Sequence, residues 1–400
     1  MIKRVKLSDI ADLITKGTTP TTLGYEFVDE GINFLKIECF REDGSFLRDK
    51  VAHISKKCND KLKRSQLKSG DILFSIAGAI GRVSIVDENM LPANINQALA
   101  IIRISNVEVF LPYIRLILTS QVVKKQFEKK KQGVAQLNLS LKDIGEIVIP
   151  LPNMEKQVKY SNIFKKVTSI LSKRYNQLED IDNLIKSRFV EMFGDPKINP
   201  KGWEEANLGA YLDVLTDYHS NGSYETLRDN VTLLDIPSYA LMVRTTDLEK
   251  NNFEDDVKYI DEHAYNHLEK SKVFGGEIII NKIGSAGKVY LMPYLNRPVS
   301  LAMNQFLLRF NKDILNNVFI YHLLNTPYCE SKIQDRVRGA VTKTITKDAV
   351  REVEIYVPPI HLQNQFATFV EQVDKLKVTV QESLNETQIL FDSLMQKYFG

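Results

Sequence analysis

The residues of this chain best suited to chemistry lie in two glycine-punctuated segments, ILFSIAGAIGRV (72–83) and IIINKIGSAGKV (278–289). In each, an apolar run leads into G-x-x-G and then a cation: Gly78, Gly81 and Arg82 in the first, Gly284, Gly287 and Lys288 in the second. Glycine lets backbone N–H groups come close to an anion, and a basic side chain completes a phosphate contact. The same residues suit a tight hairpin in which glycine supplies positive φ and no ligand is needed. Spacing alone leaves both readings open. A nucleotide-binding P-loop is not one of them, because Lys282 stands where that motif needs Gly and Val289 where it needs Ser or Thr. Glu277 with Lys282 has the look of a nuclease pair, but the matching positions of the first segment are Asp71 and Ile76. With no H-E-x-x-H and no G-x-G-x-x-G after a strand, neither an active site nor a metal is expected in this chain.

A second pair of segments carries groups suited to nucleic acid: KKKQGVAQLNLSLKD (129–143) and RVRGAVTKTITKD (336–348). Lys130, Lys131, Arg336, Arg338 and Lys343 would serve phosphates; Gln132, Gln136, Asn138 and Thr342 would serve base edges. Lys61, Lys63 and Arg64, just ahead of the first glycine segment, and Lys282 complete the candidates. A solvated surface loop is the competing reading of each.

These segments come in pairs because the chain is duplicated. Shifting it by 206 residues lays Gly70-Asp71-Ile72 on Gly276-Glu277-Ile278, Leu62 and Ser65 on Leu268 and Ser271, and SRFVEMFG (187–194) on SLMQKYFG (393–400). Asn96-Gln97 answers Asn304-Gln305 and Lys142-Asp143 answers Lys347-Asp348 once the frame is shifted slightly. A period this long is a repeated domain, since solenoid units run to ~20–50 residues. Each copy has a globular part with short β-rich runs, a Pro-containing boundary, and then about forty residues without Gly or Pro. In the first such stretch Phe164, Val167, Leu171, Leu178, Ile181 and Ile185 alternate by threes and fours, with Met192 at its end. In the second, Val370, Val373, Val380, Leu384, Phe391, Leu394 and Tyr398 do the same, with Lys377 and Thr387 interrupting. That is an a/d heptad seam on two long helices, and two matched seams favour packing against each other. A helix of about 39 residues would be a rod of about 58 Å. The expected organisation is a domain over 1–152, a helix over 153–194, a linker over 195–203, a domain over 204–359 and a helix over 360–400.

Composition bounds the class. Four hundred residues, 44% hydrophobic, can bury more than one core. Three scattered cysteines read as reduced thiols, and no signal peptide or membrane-spanning run is evident, so a cytoplasmic protein without membrane contact is expected. Net charge is +3 overall but divides unevenly. Residues 1–150 hold 23 Lys+Arg against 17 Asp+Glu, and residues 204–358 hold 17 against 22. A net-acidic domain must concentrate its cations locally, or lean on partners, to attract phosphates.

Two diverged domains, each ending in a P-L-P or P-P run, a Gln-containing helix start (EKQVKY, LQNQF) and a long helix, resemble the specificity subunits of type I restriction–modification systems. SRFVEMFGDP and GDILFSIAGAIG also look typical of that family. The resemblance covers essentially the whole chain and rests on order and spacing. It implies an α+β architecture: two duplicated α/β target recognition domains separated by two long helices that form an antiparallel coiled coil, with pseudo-twofold symmetry. It further implies a bipartite, asymmetric double-stranded DNA target, with half-sites about one helical turn, ~34–36 Å, apart. Two methyltransferase subunits and restriction subunits are the implied partners, and these would bind S-adenosylmethionine, ATP and Mg in place of this chain. A coiled-coil adaptor that touches no nucleic acid, and the recognition subunit of a related type II enzyme, are the competing readings.

Overall fold

A computed structural model describes residues 3–128 and 138–399. They fall into two compact units, Met1–Tyr175 with Glu382–Gly400, and Asn176–Gln381. Each unit is built on a four-stranded antiparallel sheet whose inner strand is an uninterrupted apolar run. In the first unit the order is Leu13–Lys16, Leu99–Arg103, Ile72–Ser75, Val83–Ile85. In the second it is Leu212–Asp217, Gln305–Phe310, Ile278–Asn281, Val289–Leu291. Ile72–Ser75 and Ile278–Asn281 are buried at every position, because apolar side chains cover both faces of the sheet. Ile72, Phe74, Ala100 and Ile102 enter one core, whereas Leu73, Leu99 and Ile101 enter another. This is the period-two alternation of a strand, read here as two cores in place of core and solvent.

Around that sheet each unit adds a second sheet with one parallel pair, Ile32–Leu35 on Ala93–Ile95 and Ala240–Val243 on Val299–Leu301. A two-stranded ribbon ties the start of each globular part to its end, Lys3–Lys6 with Val148–Leu151 and Glu204–Asn207 with Glu354–Val357. Inward polar residues repeat with the strands. Asp71 is paired with Arg103 at 2.6 Å, and Glu277 with Arg309 at 3.1 Å. Ser65 and Ser271 each place Oγ 3.3 Å from a carbonyl three residues back.

The Pro-bounded stretches are helices of 40 residues each, Met154–Phe193 and Ile360–Phe399. The glutamine at each helix start is buried and clamps the helix to the globular part. Gln157 Oε1 accepts from Phe110 N (2.9 Å) while its Nε2 donates to Glu108 O and Pro152 O. Gln363 repeats this on Asn316 N (2.9 Å), Ile314 O and Pro358 O. Within the first unit the helices run antiparallel, with Tyr160 against Tyr398 and Phe164 against Phe391. Within the second they do so again, with Phe189 against Phe366 and Asp182 bonded to Lys377 at 2.5 Å. Lys377, which interrupts the seam in the sequence, thus meets an opposite charge on the facing helix. Every predicted seam residue is buried or half-buried: Phe164, Val167, Leu171, Leu178, Ile181 and Ile185, and Val373, Val380, Leu384, Phe391 and Leu394. The seam reading missed Phe189, Phe193, Phe366 and Phe399, which pack on the facing helix and at the same time enter the cores of the globular parts.

From Ile72 and Ile278 onward the repeat keeps the single offset of 206 where the sequence suggested small shifts. Ile76 N bonds Ala98 O as Lys282 N bonds Asn304 O, so Ala98 and not Asn96 is the counterpart of Asn304. Ser140 and Thr346 are the N-caps of matching short helices, Leu141–Gly145 and Lys347–Arg351. Leu141, therefore, and not Lys142, stands where Lys347 stands. Cys39, Cys58 and Cys329 are buried and unpaired. Among the described residues no helix is long and apolar enough to cross a membrane.

Candidate nucleic-acid interface

The glycine segments fold as hairpin loops. Gly78, Gly81, Gly284 and Gly287 all have positive φ, between 70° and 86°. Gly287 also lies against the next helix, where a Cβ would meet Ile333 at 2.7 Å. Several of the loop amides are already engaged. Ile80, Gly81 and Arg82 N–H groups bond Gly78 O, Ser75 O and Ser75 Oγ. Gly284, Gly287 and Lys288 N–H groups bond Lys343 O, Asn281 O and Ser285 O. These amides are engaged within the protein, which removes them as donors for the phosphate cradle that the spacing allowed. Arg82 is corrected too: its guanidinium donates to Phe40 O at 2.8 Å and helps hold the fold together. Lys288 is exposed, over the ring of Tyr290, whereas Arg82 and Lys282 are half-buried.

The second basic segment of the second unit is fastened to this loop. Arg338 and Thr344 exchange two backbone bonds of 2.8 Å, closing a hairpin over 339–343. Gly284 N donates to Lys343 O (3.1 Å) and Ile345 N to Lys282 O (3.0 Å), so the two loops named in the sequence are neighbours. Thr342 and Lys343 are exposed, and Arg338 is exposed with one nitrogen on Asp335 O. Arg336 is the exception. It donates to Lys332 O and Glu352 O and braces the base of the hairpin, a correction to its expected place on a phosphate. In the first unit Lys130, Lys131, Gln132 and Gln136 lie outside the described residues. Asn138 is exposed beside Leu139, whose N–H bonds Ile76 O, the same connection that Ile345 makes to Lys282. Lys61, Lys63 and Arg64 are exposed at the end of the helix Lys56–Lys61 and the turn that follows.

Lys282 has a different task from the one expected. Its Nζ is 3.0 Å from Asp217 Oδ2, while Lys347 Nζ is 2.9 Å from Oδ1 and Ser220 adds a hydrogen bond. Burial works against the Asp217 carboxylate, but the bonds from Ser220, Lys347 and Lys282 outweigh it and hold its pKa at about 2. The nuclease-like pairing dissolves as well, since Glu277 is bound to Arg309 and to the Phe274 and Gly275 amides. Asp217 pairs with Phe306 across the sheet where Lys16 pairs with Ala100, so Lys16 is its counterpart. The first unit thus has an exposed lysine at this point, with Ile76 and Leu141 in place of Lys282 and Lys347. Sequence reading missed Lys16 and Asp217 because neither lies in a glycine or basic motif. Among the described residues no cluster of three His, Cys, Asp or Glu side chains is placed to hold a metal.

Comparison with known proteins gives a concordant set of likenesses. The model of the type I restriction modification DNA specificity domain matches residues 2–180 and 230–387. The type I restriction enzyme EcoBI specificity subunit of Escherichia coli is 31% identical over 172 residues, 42% of this chain; the match spans only 35% of that relative. The putative type I restriction enzyme MjaX specificity subunit of Methanocaldococcus jannaschii is 23% identical over 400 residues, covering 93% of this chain and 86% of that one. Among solved structures, a chain of a type I R-M system has a TM-score of 0.58 at 16% identity, covering 99% of this chain and 96% of its own. The S subunit of a type I system from M. genitalium has a TM-score of 0.57 at 16% identity, covering 100% and 96%. These two share the fold.

Proposed function

Because the chain belongs to the type I restriction–modification DNA specificity family, we propose that it is the subunit that selects the DNA sequence on which a restriction–modification complex acts, each unit reading one half of a bipartite, asymmetric target. The observation that carries this reading is the family match in both halves of the chain, laid over a fold repeated down to its buried glutamines and ion pairs. One frame carrying two different outer loops suits two different half-sites. Phosphate contacts would fix the register of each unit on the duplex, and the loop side chains would supply base contacts.

In this reading the chain does no bond chemistry itself. Two methyltransferase subunits and the restriction subunits dock on it, in the cytoplasm, and bind the S-adenosylmethionine, ATP and Mg. The charged groups of the loops support that division, because Glu277, Asp217, Lys282 and Arg82 are all engaged in holding the fold. The test is a domain exchange. Residues 1–150 are replaced by the matching segment of a relative with a known target, the chimera is assembled with its modification subunits, and the methylated sites are mapped. One half of the target should change while the other is kept. Both halves changing together would overturn the proposal.

A further inference from the structure

The acidic second unit solves its charge problem in one place. Residues 332–347 hold five Lys and Arg against a single Asp, within a region, 204–358, that carries 17 against 22. At the tip of this basic stretch stands an apolar side chain, Val341, 98% exposed. The hairpin that presents it is firmly built. The Arg338–Thr344 bond pair closes it, and Gly284 N–H and Lys282 O fasten it to the neighbouring loop. Gly339 turns at φ 106°, where any Cβ would meet Thr342 O at 2.1 Å. An exposed valine in a stapled hairpin gains nothing for the fold, because it buries no surface there.

Resting on the proposed DNA-reading function, we infer that Val341 reads the C5-methyl group of a thymine in the major groove. The groove admits a two-stranded ribbon, and the thymine methyl is the one apolar mark on its floor. Lys343, beside Val341 and exposed, is placed for a phosphate, and Thr342 for a base edge. The sequence of the first repeat places Ala135 at the position of Val341 and Val134 at that of Ala340, so the two units carry different apolar groups here. Contact with the methyl would bury apolar surface of Val341 that the fold leaves in water.

The full-length chain with its modification subunits is first used to select its target from a random duplex library. Each thymine of the target is then replaced singly by deoxyuridine, which removes only the methyl. One substitution in one half-site should weaken binding about fourfold, the worth of one buried carbon. V341S should bind as weakly to the thymine duplex as wild type binds to the uracil duplex, and should lose the uracil penalty. Its fold is protected by the exposure of the site, and its affinity for unrelated duplex should be unchanged. K343Q should instead keep the penalty and flatten the salt dependence of binding by about one phosphate contact. A V341S protein with the wild-type uracil profile, or a target whose uracil duplexes all bind as well as thymine, would overturn the inference while leaving DNA reading intact. Failure to select any sequence would overturn the functional reading and this inference with it.

Discussion

Asp217→Asn should remove a part of the second unit's stability that is present at neutral pH and lost only in strongly acidic solution. The Asp217 carboxyl is held at about 2 against an ordinary 3.8, because the Ser220, Lys347 and Lys282 bonds to the charged form outweigh its burial. A depressed folded-state pKa means that the stabilisation is fully present above about 4 and is lost as pH falls from about 4 through about 2. The difference corresponds to about 2 kcal/mol. His322 provides a built-in contrast. Burial holds its imidazole down to about 4 against an ordinary 6.5, although Asp182 pulls the other way. The unfolded chain therefore takes up that proton first, and stability falls between about pH 6.5 and 4 in wild type and variant alike. The probe is Trp203, the chain's single tryptophan, which lies in the second unit and donates its indole N–H to Phe193 O at 2.9 Å. Urea midpoints followed by its fluorescence should show wild type above D217N by an amount that stays level from pH 6.5 to 4 and then closes towards zero near pH 2. A gap that persists unchanged to pH 2, or that closes while His322 titrates, would refute the assignment of this stability to the Asp217 cluster.

The buried glutamine clamps should behave as equals. Gln157→Leu and Gln363→Leu each strand an N–H and two carbonyls, costing about 1–3 kcal/mol, but only Gln363→Leu should move the Trp203 transition. Hydrogen exchange at the Phe110 amide should report the loss in Gln157→Leu. Phe193→Ala removes a fully buried ring that packs on Phe319 and Phe366, and should cost about 3–5 kcal/mol in the second unit, with a shift in Trp203 emission.

The sequence disclosed what repeats and what alternates. The 206-residue offset, the Pro-bounded helices and the a/d seam were legible because each is a pattern that the backbone must obey, whatever surrounds it. The four phenylalanines at the helix ends were not read as core, although Phe193 and Phe399 match under the offset. They leave the heptad because a helix that faces a domain at one end and a helix along its length needs two stripes, and a single-seam template sees only one. The candidate contacts fared less evenly for a different reason. A lysine or arginine in a loop looks the same whether it meets water, a carbonyl or a buried carboxylate. Arg82, Lys282 and Arg336 found intramolecular partners 45 or fewer residues away, or across a sheet, and no local pattern announces them.

The exchange at Lys16 and Asp217 shows how such a frame can diverge. Lys16 alone contributes +1 where Asp217, Lys282 and Lys347 together contribute +1, so the two units reach the same local charge with unrelated side chains. Ile76 and Leu141 cannot simply be replaced one at a time by the lysines found in the second unit, since each added charge needs Asp217 beside it. The changes must therefore travel together, and the sheet positions that hold them are fixed by backbone pairing rather than by the side chains. The inward residues do not exchange in this way: Gln157 and Gln363 make the same three bonds, and Asp71–Arg103 and Glu277–Arg309 occupy the same strands. The proposed reading of two different half-sites on one frame requires this separation. Its stability must not depend on the side chains that choose the bases, and here the clamps that hold each globular part to its helix lie apart from the loops that differ.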